Sequence, residues 1–319
     1  MNKKAYLTID LSARRNAQLG IKMDKKLKGD RSQRIIRGIA YVLTTIVSLI
    51  CVIPFYLVIV ASFSSEQDII AKGFSIWPAH FSLDAYKLVF QVPETIFRAY
   101  GVSIFITAVG TVTGLFVTTM AAYVLCRRTC RYRNQIAFFF YFTTLFSGGM
   151  IPTYIWLTQS LHLKDNIFVM VFPLLMSSWN ILLMRNFMRD IPEEMAEAAT
   201  IDGASEFTVF VRLFLPLAKA GLATIGLFMG LAYWNDWYHA MLYINKSELY
   251  PLQYLLYDMQ NSIEGIKKAA AIANVPSYNM PTESFKMAMA VVATGPIILL
   301  YPFVQKYFIK GLTVGAVKG

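Results

Sequence analysis

The sequence predicts an all-α integral membrane protein with six transmembrane helices. Three observations carry this. Of 319 residues, 56% are hydrophobic and only 15% charged, where a soluble domain carries about a quarter charged. The apolar residues gather in six blocks, each long enough to cross a hydrocarbon core, which takes about 20 residues. The basic residues fall on alternate loops between those blocks. A large soluble core would have to hide six such blocks in succession from water, which the pattern does not favour.

The blocks run over roughly 38–62, 99–125, 136–158, 167–188, 220–244 and 285–308. Several contain Gly, Pro, Ser or Thr, which spans tolerate when neighbouring helices satisfy the backbone. Ahead of the first block is a basic tail, residues 1–37, with eleven Lys or Arg. The stretch CRRTCRYR adds four, Arg185 to Lys219 four, and the C-terminal end three, together 22 of the 30 basic residues. The positive-inside rule puts these segments, and both termini, in the cytosol. The net charge of +11 is then topological, and nucleic acid is not expected as a partner. The N-terminal region does not read as a cleavable signal: its basic part is too long and no A-x-A site follows.

Cysteine and histidine offer no site. Cys126 and Cys130 lack the further ligands that zinc needs. No P-loop appears, so the chain shows no nucleotide site of its own and is not expected to be an enzyme.

In span three, Gly148, Gly149 and Pro152 are expected to break the helix, and broken helices line cavities in transporters. A kink that only improves packing fits equally well. The pairs Gly110/Gly114 and Gly226/Gly230 have the spacing that lets helices approach closely. They are expected to pack between spans or against a partner. Span five ends in AYWNDWYHAMLY. Tyr233, Trp234, Asn235, Asp236 and Trp237 combine aromatic faces with hydrogen-bonding groups, as a sugar site needs. An interfacial aromatic belt fits them too. Asp236 and His239, three apart, can share a helix face. The outer loop Asn245 to Glu283 is long enough to meet a docked protein.

Between spans four and five lies EEMAEAATIDGASE, with five acids and no basic residue. It predicts a helical hairpin over 189–219. Pro192 suits a first helical position, Glu193 and Glu194 favour the positive end of the helix dipole, and Gly203 ends the helix in a left-handed conformation. Phe207, Phe210, Val211 and Phe214 then form one apolar stripe, and Pro216 marks the return to the membrane. Small side chains on the first limb would let another protein approach closely.

Glu197-Ala198-Ala199, Gly203 and Leu213-Phe214-Leu215-Pro216 match the EAA---G---------I-LP pattern, with Leu213 for the usual Ile. The chain thereby resembles the permease subunits of ATP-binding-cassette importers. The ending QKYFIKGLTVGAVKG and the stretch PTESFKMAMAVVATGP resemble the maltose-type carbohydrate permeases, nearest the oligosaccharide and lipoprotein subgroup. The likeness covers nearly the whole chain from about Arg37; the long basic tail is less typical.

The resemblance implies a type I importer permease fold, with the permease domain over 38–308 and a cytosolic tail over 309–319. It implies Glu197, Ala198, Ala199, Asp202, Gly203 and Pro216 as the ATPase-coupling residues. The implied partners are a second permease in a heterodimer, two cytosolic ATPase subunits and an extracytoplasmic solute-binding protein or lipoprotein. ATP and Mg belong to the ATPase, and this chain takes no cofactor. The implied location is the bacterial plasma membrane. The implied function is import of carbohydrate, with oligosaccharides as the expected class. An ion-coupled carrier and a membrane enzyme acting on lipid-linked sugar, using Asp236 and His239, are the alternatives.

Overall fold

The computed structural model describes residues 31–272 and 282–316. Most of the basic tail, residues 273–281 of the predicted outer loop and the last three residues lie outside that range. By internal packing the chain divides into Met1–Leu57 and Val58–Gly319. Within the described residues all regular structure is helical, apart from one isolated bridge between Ser64 and Phe81.

The first unit holds most of α1 (Arg31–Ser62), and its described side chains from Ile35 to Tyr56 are all exposed. A helix apolar on every side is at home in lipid or against another apolar helix, not in water.

The second unit is built round α4 (Pro93–Cys126), after two short helices, α2 (Glu66–Lys72) and α3 (Asp84–Val89). Pro93 begins α4, where its missing N–H costs nothing. Its buried face reads Ala99, Ser103, Ile106, Gly110, Gly114, Thr118, Ala122 and Leu125. The three- and four-residue steps put these mostly small groups on one stripe. That stripe packs chiefly against α7 (Ser178–Arg189) and α10 (Lys219–Trp234).

At Gly110 an added Cβ would collide with the ring of Tyr233. At Gly114 it would meet the end of Met229 and come within 3.0 Å of the Leu175 carbonyl oxygen. Gly226 faces Leu115 and Gly230 faces Thr111 across the same seam. Both glycine pairs therefore join α4 to α10 within this chain, the first of the two packing roles expected for them.

Two of the expected spans are long single helices among the described residues: Ile35–Ser62 and Pro93–Cys126. Two others are bent pairs. After α5 (Arg133–Leu145), the chain turns by 111° into α6 (Met150–Ile155), which a π-helical turn extends to Ser160. Gly149 caps α6 at φ +85°, and Pro152 falls in its first turn, so the expected break occurs where glycine and proline put it. The predicted span over 167–188 begins with two 3₁₀ turns, Ile167–Met170 and Phe172–Leu174, and bends by 51° into α7. Ser177 caps α7 by accepting from the N–H of Asn180 at 3.4 Å. The predicted span over 220–244 is α10 followed, after a break at Asn235–Trp237, by α11 (Tyr238–Tyr243). The backbone of the last block is one helix, α13 (Glu283–Ala316), continuous into the segment expected to be a tail. It follows α12 (Leu252–Ile272).

Candidate coupling surface and its anchor

The acidic stretch forms α8 (Glu193–Ile201). Pro192 stands just outside it as the cap with ψ 131°, one place before the expected first turn. The helix ends in a Schellman turn: Ala204 N–H donates to the Ala199 carbonyl at 2.9 Å and Gly203 N–H to that of Thr200 at 3.0 Å. Gly203 takes φ +85° there, a conformation nearly free of cost only for glycine.

The second limb opens with α9 (Glu206–Val209), capped by Ser205, whose hydroxyl accepts from Thr208 N–H at 3.2 Å. A π-helical turn follows over Phe210–Phe214, then a short α turn at Leu215–Leu217. The wide turn lies just ahead of Pro216, whose ring would clash with the carbonyl four residues back in a regular helix. It also rotates the buried face. Val209, Phe210 and Phe214 are buried, whereas Phe207 is 61% and Val211 37% exposed. The expected stripe is thus correct at Phe210 and Phe214 but not at Phe207 and Val211. The chain then turns by 83° into α10.

Ala196 is fully buried and faces the body of the protein. Glu197, Ala198, Asp202, Gly203 and Pro216 are exposed, and Ala199 is half-buried. Among the exposed groups stand Met195, Ile201, at 86% exposure, and Phe207. The tip therefore shows acids beside uncovered apolar groups. A rim of charge round a desolvated apolar centre is how protein docking surfaces are composed.

The anchor of this hairpin is the end of α4. Arg127, 5% exposed, places Nη2 2.9 Å from Glu206 Oε1 and Nη1 3.8 Å from Glu193 Oε1. Arg128 Nε lies 2.7 Å from Glu193 Oε2, and its backbone N–H donates to the same carboxylate at 3.1 Å. The Tyr123 hydroxyl donates to Glu206 Oε2, and its ring packs on Phe210 and Phe214. One helix end thus holds the first residue of each limb. The Arg127 guanidinium and the Tyr123 hydroxyl keep the Glu206 carboxyl below its ordinary range. Sequence reasoning used Arg127 and Arg128 only to fix topology. Two arginines at a span's end carry no signal that they pair with acids 65 and 79 positions on.

The aromatic run after α10 is divided in space. Tyr233 is buried in the Gly110 notch and donates to the Val171 carbonyl at 2.9 Å. Trp234 is buried and donates from Nε1 to the Ala293 carbonyl of α13 at 3.1 Å. Asn235 is exposed and donates to Leu231 O. Asp236 accepts from His239 N–H at 3.2 Å, and its Oδ2 lies 2.8 Å from His239 Nδ1. The expected meeting of these two residues occurs, and it serves to start α11. Trp237 is 38% exposed and stacks on Tyr257 of α12 at 4.5 Å.

A separate hollow of about 490 Å³ opens at the bend before α7, where Ser177, Trp179 and Asn180 face Phe228 and Met229 of α10. It lies beside the Gly114 contact, near the middle of α4.

Broken helices thus surround a glycine-seamed helix, with an exposed hairpin clamped to one end, and the spans are long and apolar enough to cross a membrane. The chain belongs to the family of binding-protein-dependent transport system inner membrane components, whose model matches residues 19–314. It is 43% identical over 273 residues to Protein LplC of Bacillus subtilis, covering 86% of this chain and 91% of that one. It is 39% identical over 275 residues to the polygalacturonan/rhamnogalacturonan transport system permease protein YtcP of the same organism, covering 85% and 94%. Among solved structures it resembles a chain from the crystal structure of a bacterial ABC transporter involved in the import of the acidic polysaccharide alginate. There the TM-score is 0.72 and the identity 31%, over 88% of this chain and 99% of that one.

Proposed function

We propose that this chain is one of two permease subunits of an ATP-driven importer of carbohydrate, with oligosaccharides as cargo. The exposed hairpin tip, held at the foot of each limb by Arg127 and Arg128, carries this reading. In it, Glu197, Ala198, Ala199, Asp202 and Gly203 meet a cleft of a cytosolic ATPase, and Pro216 turns the chain back toward the membrane. ATP and Mg are held by that ATPase, two copies of which serve the permease pair, and no chemistry is done on this chain. Six spans, with both termini cytosolic in the bacterial plasma membrane, complete the topology. An extracytoplasmic binding protein or lipoprotein delivers the cargo from the opposite face.

The carbohydrate reading is supported by the names of the relatives and by aromatic faces beside amide and hydroxyl groups. Trp179, Asn180 and Ser177 line the hollow near the centre of α4. Asn235, Asp236 and Trp237 are the candidates nearer the rim, and Tyr233 and Trp234 support them from within the packed seam.

Co-purification tests the coupling role. This chain is expressed with a partner permease and a carbohydrate-importer ATPase and then captured. The native chain is expected to retain the ATPase, and Glu197→Lys/Gly203→Arg to lose it while the permease pair stays in the membrane. Equal retention by the variant ends the coupling assignment. Uptake into vesicles that needs an ion gradient but not ATP would favour an ion-coupled carrier instead.

A further inference from the structure

A hollow of about 460 Å³ lies at the foot of the hairpin, between the ends of α4 and α7 and the start of α5. Arg127, Arg128, Arg133, Arg185 and Arg189 line it. Three acids, Asp190, Glu193 and Glu194, line it as well, so five arginines leave a formal surplus of two positive charges. Glu193 is already engaged by Arg127 and Arg128. Arg127 is 95% buried, and its Nε and Nη1 have no hydrogen-bond partner. Unpartnered buried donors on a cation are costly, and a tetrahedral oxyanion would satisfy them.

Depth selects the kind of anion. The apolar helix α4 and the bent span that closes with α7 both end at this hollow, at Cys126 and Arg189, which is where a span meets the headgroup layer. The hairpin tip at Ile201–Asp202 lies about 12 Å further along α8. An ATPase on the tip would leave the foot uncovered. Basic hollows between spans on the cytosolic side are how membrane proteins hold acidic headgroups.

We propose that this arginine-lined hollow binds a phosphate-bearing headgroup of an anionic lipid. The assignment rests on the coupling reading only for the side of the membrane on which the hollow opens. A headgroup seated there touches the same arginines that clamp Glu193 and Glu206, so lipid charge would steady the hairpin.

The test is native mass spectrometry of the assembled importer, titrated with phosphatidylglycerol or phosphatidylcholine. Arg185→Gln/Arg189→Gln is expected to retain phosphatidylglycerol roughly thirtyfold less well, two charges near the surface being removed. Arg185→Lys/Arg189→Lys and Arg98→Gln, at the other end of α4, should match the native chain. Phosphatidylcholine should bind all of them equally. A parallel thermal melt with inorganic phosphate separates the sources. Stabilisation of the native chain but not the Gln pair, with lipid retention unchanged, assigns the hollow to a soluble phosphate and overturns the lipid occupant. Equal lipid retention and equal phosphate response in native and Gln-pair importers overturn the site altogether. Loss of the ATPase with lipid retained also overturns it and gives the hollow to the ATPase interface. Should the Gln pair fail to assemble, Arg133→Gln at the start of α5 is read in the same way. Retention of the ATPase by the native chain is scored in the same preparation. Its absence counts against the coupling reading, whereas the lipid result is decided by the arginine variants.

Discussion

Arg127 Nη2 lies 2.9 Å from Glu206 Oε1, across 79 positions of sequence. The contact joins the end of the central helix to the first turn of the hairpin's second limb. Since Arg127 is buried and also faces Glu193, removing it takes the cation from Glu206, which keeps only the Tyr123 hydroxyl, and leaves Glu193 to Arg128 alone. Arg127→Met is expected to loosen both limbs by about 1–3 kcal/mol. Breaking a fully buried pair costs about 3–5 kcal/mol, discounted here because Glu206 is half exposed to solvent. Amide hydrogen exchange over 193–214 should speed up while exchange in α4 holds, and ATPase retention should fall. Unchanged exchange in the hairpin would show that the arginine is not its anchor.

Gly203 offers a cleaner separation of backbone from bulk. Nothing lies within 4 Å of a Cβ placed there, yet φ is +85°. Any penalty must come from the left-handed conformation, about 1–2 kcal/mol for an L-residue. Gly203→Val is expected to impair transport strongly, Gly203→Ala less and Gly203→Asn least, with membrane insertion intact in all three. If uptake instead follows side-chain volume, with Asn worse than Ala, the left-handed turn is not what matters.

The Gly110 notch predicts an energetic coupling. Gly110→Ala should lower the stability of the detergent-solubilised protein by about 1–3 kcal/mol through overpacking. The Tyr233 ring cannot step aside without giving up its bond to Val171 O. Pairing the change with Tyr233→Leu should recover part of the loss, since residues in contact couple by about 0.5–3 kcal/mol. Strict additivity in thermal melts would place the two side chains out of contact.

Glu66 predicts a pH profile. Its carboxylate accepts from the N–H groups of Glu283 at 3.0 Å and Ser284 at 2.9 Å, closing the start of α13. Burial pushes its pKa up, but these backbone donors and the Ser284 hydroxyl outweigh burial and hold it below the ordinary 4.5. A depressed carboxylate stabilises fully above its unfolded value and loses that contribution as pH falls through the folded one. Glu66→Gln should therefore melt earlier at pH 7, with the gap to the native protein closing only below about 4.5. A gap that is constant from neutral to acid pH would mean that the charge contributes nothing.

Much of this architecture was legible in the residues. The apolar blocks located α1, α4, α10 and α13 but not α12, a 21-residue helix in the stretch expected to be an outer loop; Gly149 and Pro152 foretold the break in span three, and the glycine pairs marked the seam between α4 and α10. What escaped was whatever depended on one residue's rotation or on distant pairing. Phe207 carried the right spacing for a buried stripe, but the π-helical turn before Pro216 turned that stripe toward Val209. Tyr233 and Trp234 read as part of one polar-aromatic set with Asn235 and Trp237. The end of α10 after Trp234 splits that set into a packed half and an open half, and no local pattern marks such a boundary. The clamp on Glu193 and Glu206 was hidden because Arg127 and Arg128 already had an explanation in charge asymmetry.

One consequence follows from the unbroken length of α4. Ser103 accepts from Leu252 N–H at 2.8 Å near one end, and Arg127 grips the hairpin at the other. Between them run 24 residues of unbroken helix, about 36 Å at 1.5 Å per residue. Under the proposed coupling it would serve as a push-rod among bent neighbours. A shove on the hairpin would reach the far rim of the molecule as the tilt of a single body, with no relay of side chains needed to pass it on.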